Sequence, residues 1–347
     1  MCMSSGDGIS NSAFFIQTLL HELGYISDIY AVDVGEDLGE RVVSYAHYQP
    51  ADNQLLLVHH GFGHGFGQWL ENLPDQKVLV YHNISPPEYF SSKSQQADLV
   101  LGKKQLTLWK EFMLGAIADS HFNKQDLTTA GWEGNRLKTI PLLVDIDAIK
   151  KRPFRQDVVE TNREITTLLF VGSFLPHKAQ DDLIISFYYL IQLVDTPLQL
   201  ILAGGDYASR MDELKQLTED LGLGDSVHFQ GKVSDDELYG WYRAADLYVS
   251  MSEHEGFGMP LIEASVFDIP VLAYNAAGIA DTLGAGGILF REKKYRRIAA
   301  LMALLLRDIR LRQDIISGQR KNLEHFSREL LQKDLHNFIL SCSHNEN

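Results

Sequence analysis

Short apolar segments alternate along the chain with stretches in which hydrophobic residues recur at helical spacing. Gly, Pro or polar residues bound each apolar segment, which is typical of buried strands. A parallel sheet with helical crossovers produces this alternation, so the pattern predicts an α/β protein. The predicted strands are Gln54–Val58, Val78–Tyr81, Ala97–Leu101, Thr167–Val171, Leu198–Ala203, Ser226–Phe229, Leu247–Ser250 and Pro270–Ala273.

A charged, apolar-poor stretch divides the chain near its middle. Residues 149–164 contain few hydrophobic side chains, as an interdomain linker does. At 347 residues the chain is long enough for two domains of about 100–200 residues each. We therefore predict an N-terminal domain at 1–154, a second domain at 155–322, and a terminal segment at 323–347 whose helix crosses back to the first domain.

Net charge restricts the class of partner. The chain has 31 Lys and Arg against 46 Asp and Glu, which gives a formal net charge of −15. A protein of that charge repels phosphate backbones, so we expect no nucleic acid among its partners. Hydrophobic residues at 45% and charged residues at 22% are typical of a folded globular protein and exclude a disordered or collagen-like chain.

The sequence predicts a cytoplasmic location. Its longest apolar run, Ile298–Leu306, is less than half of a bilayer span and predicts a buried helix face. The first six residues lack the cationic start and apolar core of a signal peptide. Cys2 and Cys342 stand at opposite ends without metal-ligand spacing, which fits a reducing compartment.

Residues 252–264 follow the predicted strand Leu247–Ser250 and read Ser-Glu-His-Glu-Gly-Phe-Gly-Met-Pro-Leu-Ile-Glu-Ala. Glycines let a backbone approach a ligand closely, and proline suits the first turn of a helix. The free amides at such a helix start can bind phosphate or sugar oxygens. Strand, glycine loop and helix thus form a candidate ligand site.

Two carboxylates of this segment, Glu255 in the loop and Glu263 one turn into the helix, can face one crevice. A carboxylate accepts two neighbouring hydroxyl hydrogens, so the pair suits the ribose and the hexose of a nucleotide sugar. The spacing alone is weak evidence, because an acidic chain produces it by chance and solvated helix acids are common. The complete string is much more specific.

The string resembles the donor site of retaining glycosyltransferases of family 4, which have the GT-B fold. That fold consists of two facing Rossmann-like domains with parallel sheets and a deep interdomain cleft. Further segments resemble the family in the second half of the chain (171–183, 202–206, 228–238, 242–246 and 278–284) and, more thinly, in the first half (6–11, 81–83, 118–127 and 140–145).

The resemblance implies a role for each matching position. Glu255 would hold the sugar hydroxyls, Glu263 the ribose, Lys178 the departing diphosphate, and His82 the sugar in the transition state. Catalytic residues are thus Glu255, His82 and Lys178. The implied donor-binding residues are Glu263, Gly8, Gly172, Ser173, Gly204, Val233, Gly256, Phe257, Gly258, Met259 and Leu261. Lysine and backbone amides can balance the diphosphate, so we expect neither a metal nor a cofactor.

Two positions depart from the family pattern. Ser173 stands where the family usually has arginine, so either another cation such as His177 or Arg243 compensates or catalysis is impaired. The family also has a full strand before its first glycine loop, whereas only residues 1–5 precede Gly6 here. We therefore expect the first strand to be short or missing.

Three other patterns have alternative interpretations. The imidazoles of His59, His60 and His64 suggest zinc, but no cysteine or carboxylate completes a ligand set, and we prefer an acceptor-side loop. Asp145-Ile-Asp147 matches a metal-binding signature of another glycosyltransferase fold, which we interpret as accidental. Basic and aromatic residues at 103–113 could touch a membrane surface, although a solvated face over a core is favoured.

The sequence thus predicts a metal-independent retaining transferase that moves a hexose from a UDP-sugar or another nucleotide diphosphate sugar to a saccharide or lipid-linked acceptor. The expected role is in surface polysaccharide or glycoconjugate synthesis, with peripheral contact at the inner face of the membrane. Two alternatives stay open: a nucleotide-sugar-binding module without turnover, which Ser173 and the short N-terminus favour, and a nucleotide-sugar epimerase.

Overall fold

The computed structural model describes residues 2–3, 8–142, 144–207 and 209–343. Contacts divide the chain into two compact units, which are described separately. Unit 1 comprises Met1–Asp145 and Phe326–Asn347, and unit 2 comprises Ile146–His325. The prediction that two domains face each other across a cleft stays a prediction.

The strands and helices alternate along most of the chain. In the first part they are β1 (Cys2–Met3), α1 (Gly8–Glu22), β2 (Tyr30–Ala31), β3 (Asp33–Val34), β4 (Val43–Ser44), β5 (Leu55–His60), α2 (Gly67–Asn72), β6 (Gln76–Tyr81), α3 (Lys93–Trp109), β7 (Gly115–Ala118), α4 (His121–Thr129) and β8 (Leu137–Thr139). There follow α5 (Ile146–Lys151), α6 (Gln156–Thr161), β9 (Thr166–Val171), α7 (Gln180–Ile191), β10 (Leu198–Ala203), α8 (Arg210–Asp220), β11 (Val227–Gly231), α9 (Asp235–Ala244), β12 (Leu247–Ser250), α10 (Met259–Val266), β13 (Val271–Tyr274), α11 (Ile279–Leu283), β14 (Ile288–Phe290), α12 (Tyr295–Arg307), α13 (Ile309–Leu323) and α14 (Arg328–Ser343). Short 3₁₀ turns lie at Glu36–Arg41, Tyr45–His47, Pro87–Tyr89, Gly134–Arg136, Pro176–Lys178 and Glu324–Phe326.

Unit 1 contains a parallel four-stranded sheet in the order β5-β6-β7-β8. One face packs on α1 and α14, where Leu19, Val80 and Phe338 are buried. The other face packs on α3 through Leu106 and Trp109. Strand β1 spans two residues and pairs with β3, so β5 is the edge strand of the main sheet.

Unit 2 contains a parallel six-stranded sheet in the order β11-β10-β9-β12-β13-β14. Helices α7 and α12 pack together over one face, and both contribute to a buried hydrophobic core of this unit. Strands β9 and β12 are neighbours although about 80 residues separate them. Because carboxyl ends of parallel strands meet at one edge, the loops after β9 and β12 lie side by side.

Two sequence predictions about this fold are wrong. Ala97–Leu101 was predicted as a strand but lies inside α3, whose buried residues recur every three or four positions. The boundary predicted near residue 155 lies instead between Asp145 and Ile146. Helices α5 and α6 belong to unit 2 because they pack on α10 and α9, and the Arg155 amide donates to Asp236 O at 2.9 Å. The other seven predicted strands overlap observed strands.

The residues proposed for membrane contact differ in exposure: Lys104 is exposed, whereas Trp109 and Met113 lie in the core of unit 1. Trp109 and Met113 are each 2% exposed, and Lys103 forms an ion pair with Asp126 at 2.6 Å. None of the helices in the described ranges combines the length and the hydrophobicity needed to cross a bilayer.

Candidate functional site

The segment with the strongest sequence signal forms a tight loop between β12 and α10. Gly258 has a φ of 91°, a left-handed conformation that glycine adopts without strain, and α10 begins at the next residue. The Gly278 amide donates to Glu255 O at 2.8 Å. A Cβ at Gly278 would lie 2.2 Å from Gly256 O, so a second loop braces the first at close range. Gly278 belongs to residues 278–284, one of the segments that resemble the family.

Lys178 and Glu255 form an ion pair in which Nζ and Oε1 are 2.6 Å apart. Lys178 ends the 3₁₀ turn after β9, and Glu255 lies in the loop after β12. Their side chains are 16% and 18% exposed, so the pair is partly shielded from water. The structure therefore brings two of the predicted catalytic residues into direct contact.

Glu263 lies on the inner face of α10 and is 8% exposed. The Tyr242 hydroxyl, on α9, donates a hydrogen bond to its Oε2 at 2.7 Å. Burial raises the pKa of Glu263, while the hydrogen bond from Tyr242 acts in the opposite direction. Keeping the Glu263 carboxylate charged inside the protein therefore costs free energy, and the hydrogen bond from Tyr242 partly offsets that cost.

The two acids share one neighbourhood around Tyr248 of β12. Burial raises the pKa of Tyr248 well above its ordinary value, and the charges of both Glu255 and Glu263 raise it further. The Tyr248 hydroxyl donates to Val171 O at 3.2 Å, at the end of β9. A phenol of the central strands therefore lies within the field of both carboxylates.

The loop after β9 contacts the loop after β10 through backbone groups. Phe174 N donates to Gly205 O at 2.8 Å, and a Cβ on Gly204 would lie 2.0 Å from Gly172 O. Glycine is therefore required at position 204 for the two loops to pack. Ser173 is exposed, and its carbonyl oxygen accepts from Gln180 Nε2 at 3.0 Å.

The two cations suggested to replace the missing arginine are a buried histidine and an arginine with partners of its own. His177 is 3% exposed, and burial lowers its pKa to about 3, so its ring is neutral near pH 7. The Arg243 guanidinium lies over the Phe154 and Phe267 rings and donates to Tyr239 O and Lys150 O. Lys178 is the predicted catalytic cation that the structure places beside Glu255.

Other predicted donor-site residues occupy the same edge of the unit 2 sheet or its helix starts. Phe257 and Leu261 are 7% and 2% exposed, and Met259 is the first residue of α10. Val233 lies between β11 and α9, and the next residue, Ser234, caps α9. In unit 1, Gly8 is the first residue of α1, whereas Gly6 lies outside the described residues.

His82 follows β6 in unit 1, and its ring is held at both nitrogens. Nδ1 lies 2.8 Å from Asp119 Oδ2, and Nε2 lies 2.7 Å from His59 Nδ1. The side chain is 2% exposed. Its predicted contact with the transferred sugar stays a prediction.

The sequence analysis missed three residues that hold predicted ones in place: Tyr242, Asp119 and His59. Tyr242 falls within a segment already matched to the family, so its position was known but not its contact with Glu263. His59 follows the predicted strand Gln54–Val58, whereas Asp119 follows β7, a strand that the sequence analysis did not predict. A polar or titratable residue at the carboxyl end of a neighbouring strand is the sequence signal that could have identified them.

Two α/β units, each built on a parallel sheet, place the protein in the class of GT-B folds. Comparison with known families supports this class. Residues 151–322 match the family of glycosyl transferases group 1 and belong to it.

Curated relatives carry related names. The chain is 26% identical over 307 residues to a D-inositol 3-phosphate glycosyltransferase of Frankia alni, covering 85% of this chain and 72% of the relative. It is 28% identical over 201 residues to a GDP-mannose-dependent alpha-(1-6)-phosphatidylinositol monomannoside mannosyltransferase of Mycobacterium tuberculosis, covering 54% of this chain and 51% of the relative. The match thus spans about half of that second protein.

Solved structures share the fold at low sequence identity. A glycosyltransferase of Rickettsia africae superposes with a TM-score of 0.72 at 14% identity, covering 100% of this chain and 98% of the other. HepE of Anabaena, in complex with UDP and glucose, gives a TM-score of 0.64 at 23% identity, covering 77% and 72%. At these identities the likeness supports the fold alone.

Proposed function

We propose that the protein is a retaining glycosyltransferase that moves a hexose from a nucleotide diphosphate sugar to a saccharide or lipid-linked acceptor. The proposed donor is a UDP-sugar, and the proposed setting is the synthesis of surface polysaccharide or another glycoconjugate. The bond between the anomeric carbon and the diphosphate breaks, and an acceptor oxygen bonds to that carbon on the same face. The acceptor's proton passes to the departing phosphate.

Three charged side chains of unit 2 have a proposed task in this reaction. Lys178 and the amides at the start of α10 stabilise negative charge on the leaving diphosphate. Glu255 accepts hydrogen bonds from the hexose hydroxyls, and Glu263 accepts them from the ribose diol. Because these groups supply the positive potential and the positioning, we propose that no divalent metal takes part. Chelation with EDTA should then leave the transfer rate unchanged.

The ion pair between Lys178 and Glu255 is the observation that carries the proposal. It joins the loop after β9 to the loop after β12, at the edge where open α/β sheets bind ligands. A surface ion pair would add little to stability, yet this one is only 16% and 18% exposed. A cation for a phosphate and a carboxylate for hydroxyls therefore stand side by side.

The choice of nucleotide is tested by comparing donors. HepE was solved with UDP-glucose, whereas the M. tuberculosis relative is named for GDP-mannose. We expect purified protein to bind UDP more tightly than GDP in calorimetric titrations. Tighter binding of GDP would refute the UDP assignment while leaving the reaction class intact.

Substitution of Glu255 tests the assigned roles. We expect Glu255→Ala to lower transfer from the cognate donor by about 100-fold, the scale for one preorganised transition-state contact. Glu253→Ala is the matched control, because Glu253 lies in the same loop but pairs with Lys293 at 2.7 Å and is 44% exposed. The control should keep its rate within about twofold. Equal rates in all three proteins would remove Glu255 from the reaction.

A binding module without turnover is the second candidate, and a specific observation favours it. Ser173 is exposed, and the buried His177 ring is neutral near pH 7, so neither supplies the usual second cation. Binding without catalysis requires less charge stabilisation than bond cleavage does. Measured UDP binding together with no hydrolysis or transfer from any UDP-sugar or GDP-sugar would establish this alternative.

A further inference from the structure

The glycine loop between β12 and α10 (residues 251–258) is held from one side by α11 and the residue before that helix. The Gly278 amide donates to Glu255 O at 2.8 Å, and the Thr282 hydroxyl donates to Phe257 O. Two carbonyl groups of the loop, two residues apart, therefore receive hydrogen bonds from one short segment. The first bond comes from the backbone, whereas the second depends on the side chain at position 282.

The Thr282 hydroxyl also has an acceptor on its own helix, but the more distant residue in the chain is the closer partner. Threonine in a helix commonly donates to the carbonyl four residues earlier, and Gly278 O lies 3.3 Å from Thr282 Oγ1. Gly278 O already accepts from the Thr282 amide at 3.1 Å. Because a hydroxyl has one hydrogen, it bonds mainly to the closer oxygen, which belongs to Phe257, 25 residues away in the chain.

Burial makes this hydrogen bond hard for water to replace. Thr282 is 0% exposed and Phe257 is 7% exposed. Ile279 and Leu283 of the same helix are also buried, and Asn322 Nδ2 of α13 donates to Thr282 O at 2.9 Å. Helix α11 is thus anchored in the core and braced by α13, and the Thr282 hydroxyl fixes the glycine loop relative to this helix.

The anchored carbonyl lies between the two parts of the loop that the proposed reaction uses. Glu255, two positions before Phe257, pairs with Lys178 at 2.6 Å. Two positions after Phe257, α10 begins at Met259. A shift of Phe257 would therefore displace both the carboxylate proposed for the hexose and the amides proposed for the diphosphate. A misplacement of about 1 Å can slow a reaction by about 100-fold.

We propose that Thr282 is a positioning residue for the transfer reaction, and that its hydroxyl holds the glycine loop in the conformation that the transition state requires. Thr282 contacts no reacting atom in this proposal, because it acts through Phe257 O. The inference rests on the function proposed above. It predicts that loss of the hydroxyl slows turnover more than it weakens binding of the nucleoside.

Two substitutions and a matched control isolate the hydroxyl. Thr282→Val keeps the branched shape and removes the hydroxyl, whereas Thr282→Ser keeps the hydroxyl and removes the methyl group. Thr218→Val is the control, because Thr218 is also buried in unit 2, at 2% exposed, but its hydroxyl donates within its own helix, to Leu214 O at 2.8 Å.

Turnover is measured as nucleotide release from whichever donor wild type uses fastest among UDP-glucose, UDP-galactose, their N-acetyl forms and GDP-mannose. We expect kcat of Thr282→Val to fall at least about tenfold, with Thr282→Ser and Thr218→Val within about threefold of wild type. A wild-type rate in Thr282→Val, or equal losses in Thr282→Val and Thr282→Ser, would overturn the inference. Wild-type protein that turns over none of these donors would refute the proposed function itself, and the role of Thr282 in catalysis with it.

Uridine binding separates positioning from general damage to the site. The nucleoside lacks both phosphates and the hexose, and its proposed partner Glu263 is held separately by the Tyr242 hydroxyl at 2.7 Å. We expect uridine to bind Thr282→Val with a Kd within about twofold of wild type. A loss of uridine affinity as large as the loss of kcat would mean that the substitution damages the whole site, and the positioning role would be wrong.

Hydrogen exchange measures the loop itself and does not depend on any donor. We expect the amides of residues 255–258 to exchange about fivefold faster in Thr282→Val, the scale of one lost hydrogen bond, and at the wild-type rate in Thr218→Val. Unchanged exchange in Thr282→Val would show that the hydroxyl does not hold the loop and would overturn the inference. If Thr282→Val does not fold, Thr282→Ala removes the hydroxyl without placing a methyl group against Phe257 O and serves in the same three measurements.

Discussion

The hydrogen bond between Tyr242 and Glu263 allows a sharp test of how the site is held together. Tyr242→Phe keeps the ring, which stacks on Phe267 with centroids 5.7 Å apart, and removes only the hydroxyl. Tyr242 is 0% exposed and Glu263 8%, so water cannot readily replace the lost donor. The substitution therefore leaves a buried carboxylate with one hydrogen bond fewer.

The expected cost follows from the charge of the acceptor. A hydrogen bond to a charged group contributes about 1.5–3 kcal/mol, so unit 2 should lose about 2 kcal/mol at pH 7. For a domain of this size that loss lowers Tm by about 4–8 °C. Because the bond from Tyr242 opposes the upward effect of burial on the pKa of Glu263, that pKa should rise further in the variant.

The pH dependence gives the test its sign. A carboxyl whose pKa is raised in the folded state holds a proton that the unfolded chain has lost, so folding becomes less favourable as pH rises. The stability deficit of Tyr242→Phe should therefore be larger at pH 7 than at pH 5. Urea unfolding of variant and wild type at both pH values measures the difference, in which pH effects common to both proteins cancel.

Tyr239→Phe is the matched control for this experiment. Tyr239 lies on the same helix and is 6% exposed, and no hydrogen bond of its hydroxyl occurs among the described residues. We expect a change within about 0.5 kcal/mol. Equal losses in the two variants, or a Tyr242→Phe deficit that grows on acidification, would refute the reasoning.

Two further predictions concern burial and close packing. Burial lowers the pKa of both His60 and His177 to about 3, so between pH 6.5 and 5 these histidines gain protons only in the unfolded chain. Each histidine should therefore cost about 2 kcal/mol of folding stability at pH 5. Urea unfolding that shows no loss of stability between pH 7 and 5 would contradict this. Gly204→Ala should lose at least about 2 kcal/mol because its Cβ meets backbone at 2.0 Å, whereas Gly205→Ala, with no atom within 4 Å of the new Cβ, should unfold like wild type.

Local sequence predicted elements well where the pattern was long or bounded by breakers. The string 252–264 gave the loop and helix start of β12–α10 because glycine and proline restrict the backbone locally. Ala97–Leu101 failed because five residues cannot distinguish a period of two from one of 3.6. Leu99 is buried but Val100 is 58% exposed, and only the later buried residues of α3 reveal its helical repeat.

Contacts between distant residues could not be predicted from the sequence. Lys178 and Glu255 are 77 positions apart and meet because β9 and β12 are neighbours, an order that no local pattern records. The histidine pair His59–His82 has the same origin in the order of the unit 1 sheet. Residue types and their place at strand ends were readable, whereas the partner of each depended on sheet topology.

The ion pair of Lys178 and Glu255 gives the proposed function a consequence that separates binding from turnover. Without ligand, Glu255 neutralises Lys178 at 2.6 Å and so competes with any phosphate for that ammonium group. Removing the carboxylate in Glu255→Ala releases the lysine. If the pair is worth about 1 kcal/mol at this exposure, UDP should bind about fivefold more tightly to the variant.

Transfer should nevertheless fall in the same variant, because the hexose hydroxyls lose their acceptor. Misfolding would weaken UDP binding and also slow transfer, and loss of a residue that only binds the nucleotide would weaken UDP binding. Neither explanation predicts tighter UDP binding together with slower transfer. Calorimetric titration of UDP into wild type, Glu255→Ala and Glu253→Ala measures the first quantity, and the third protein should match wild type because Glu253 pairs with Lys293 instead. Weaker UDP binding to Glu255→Ala would mean that Glu255 supports the nucleotide site as a whole and does not compete for Lys178.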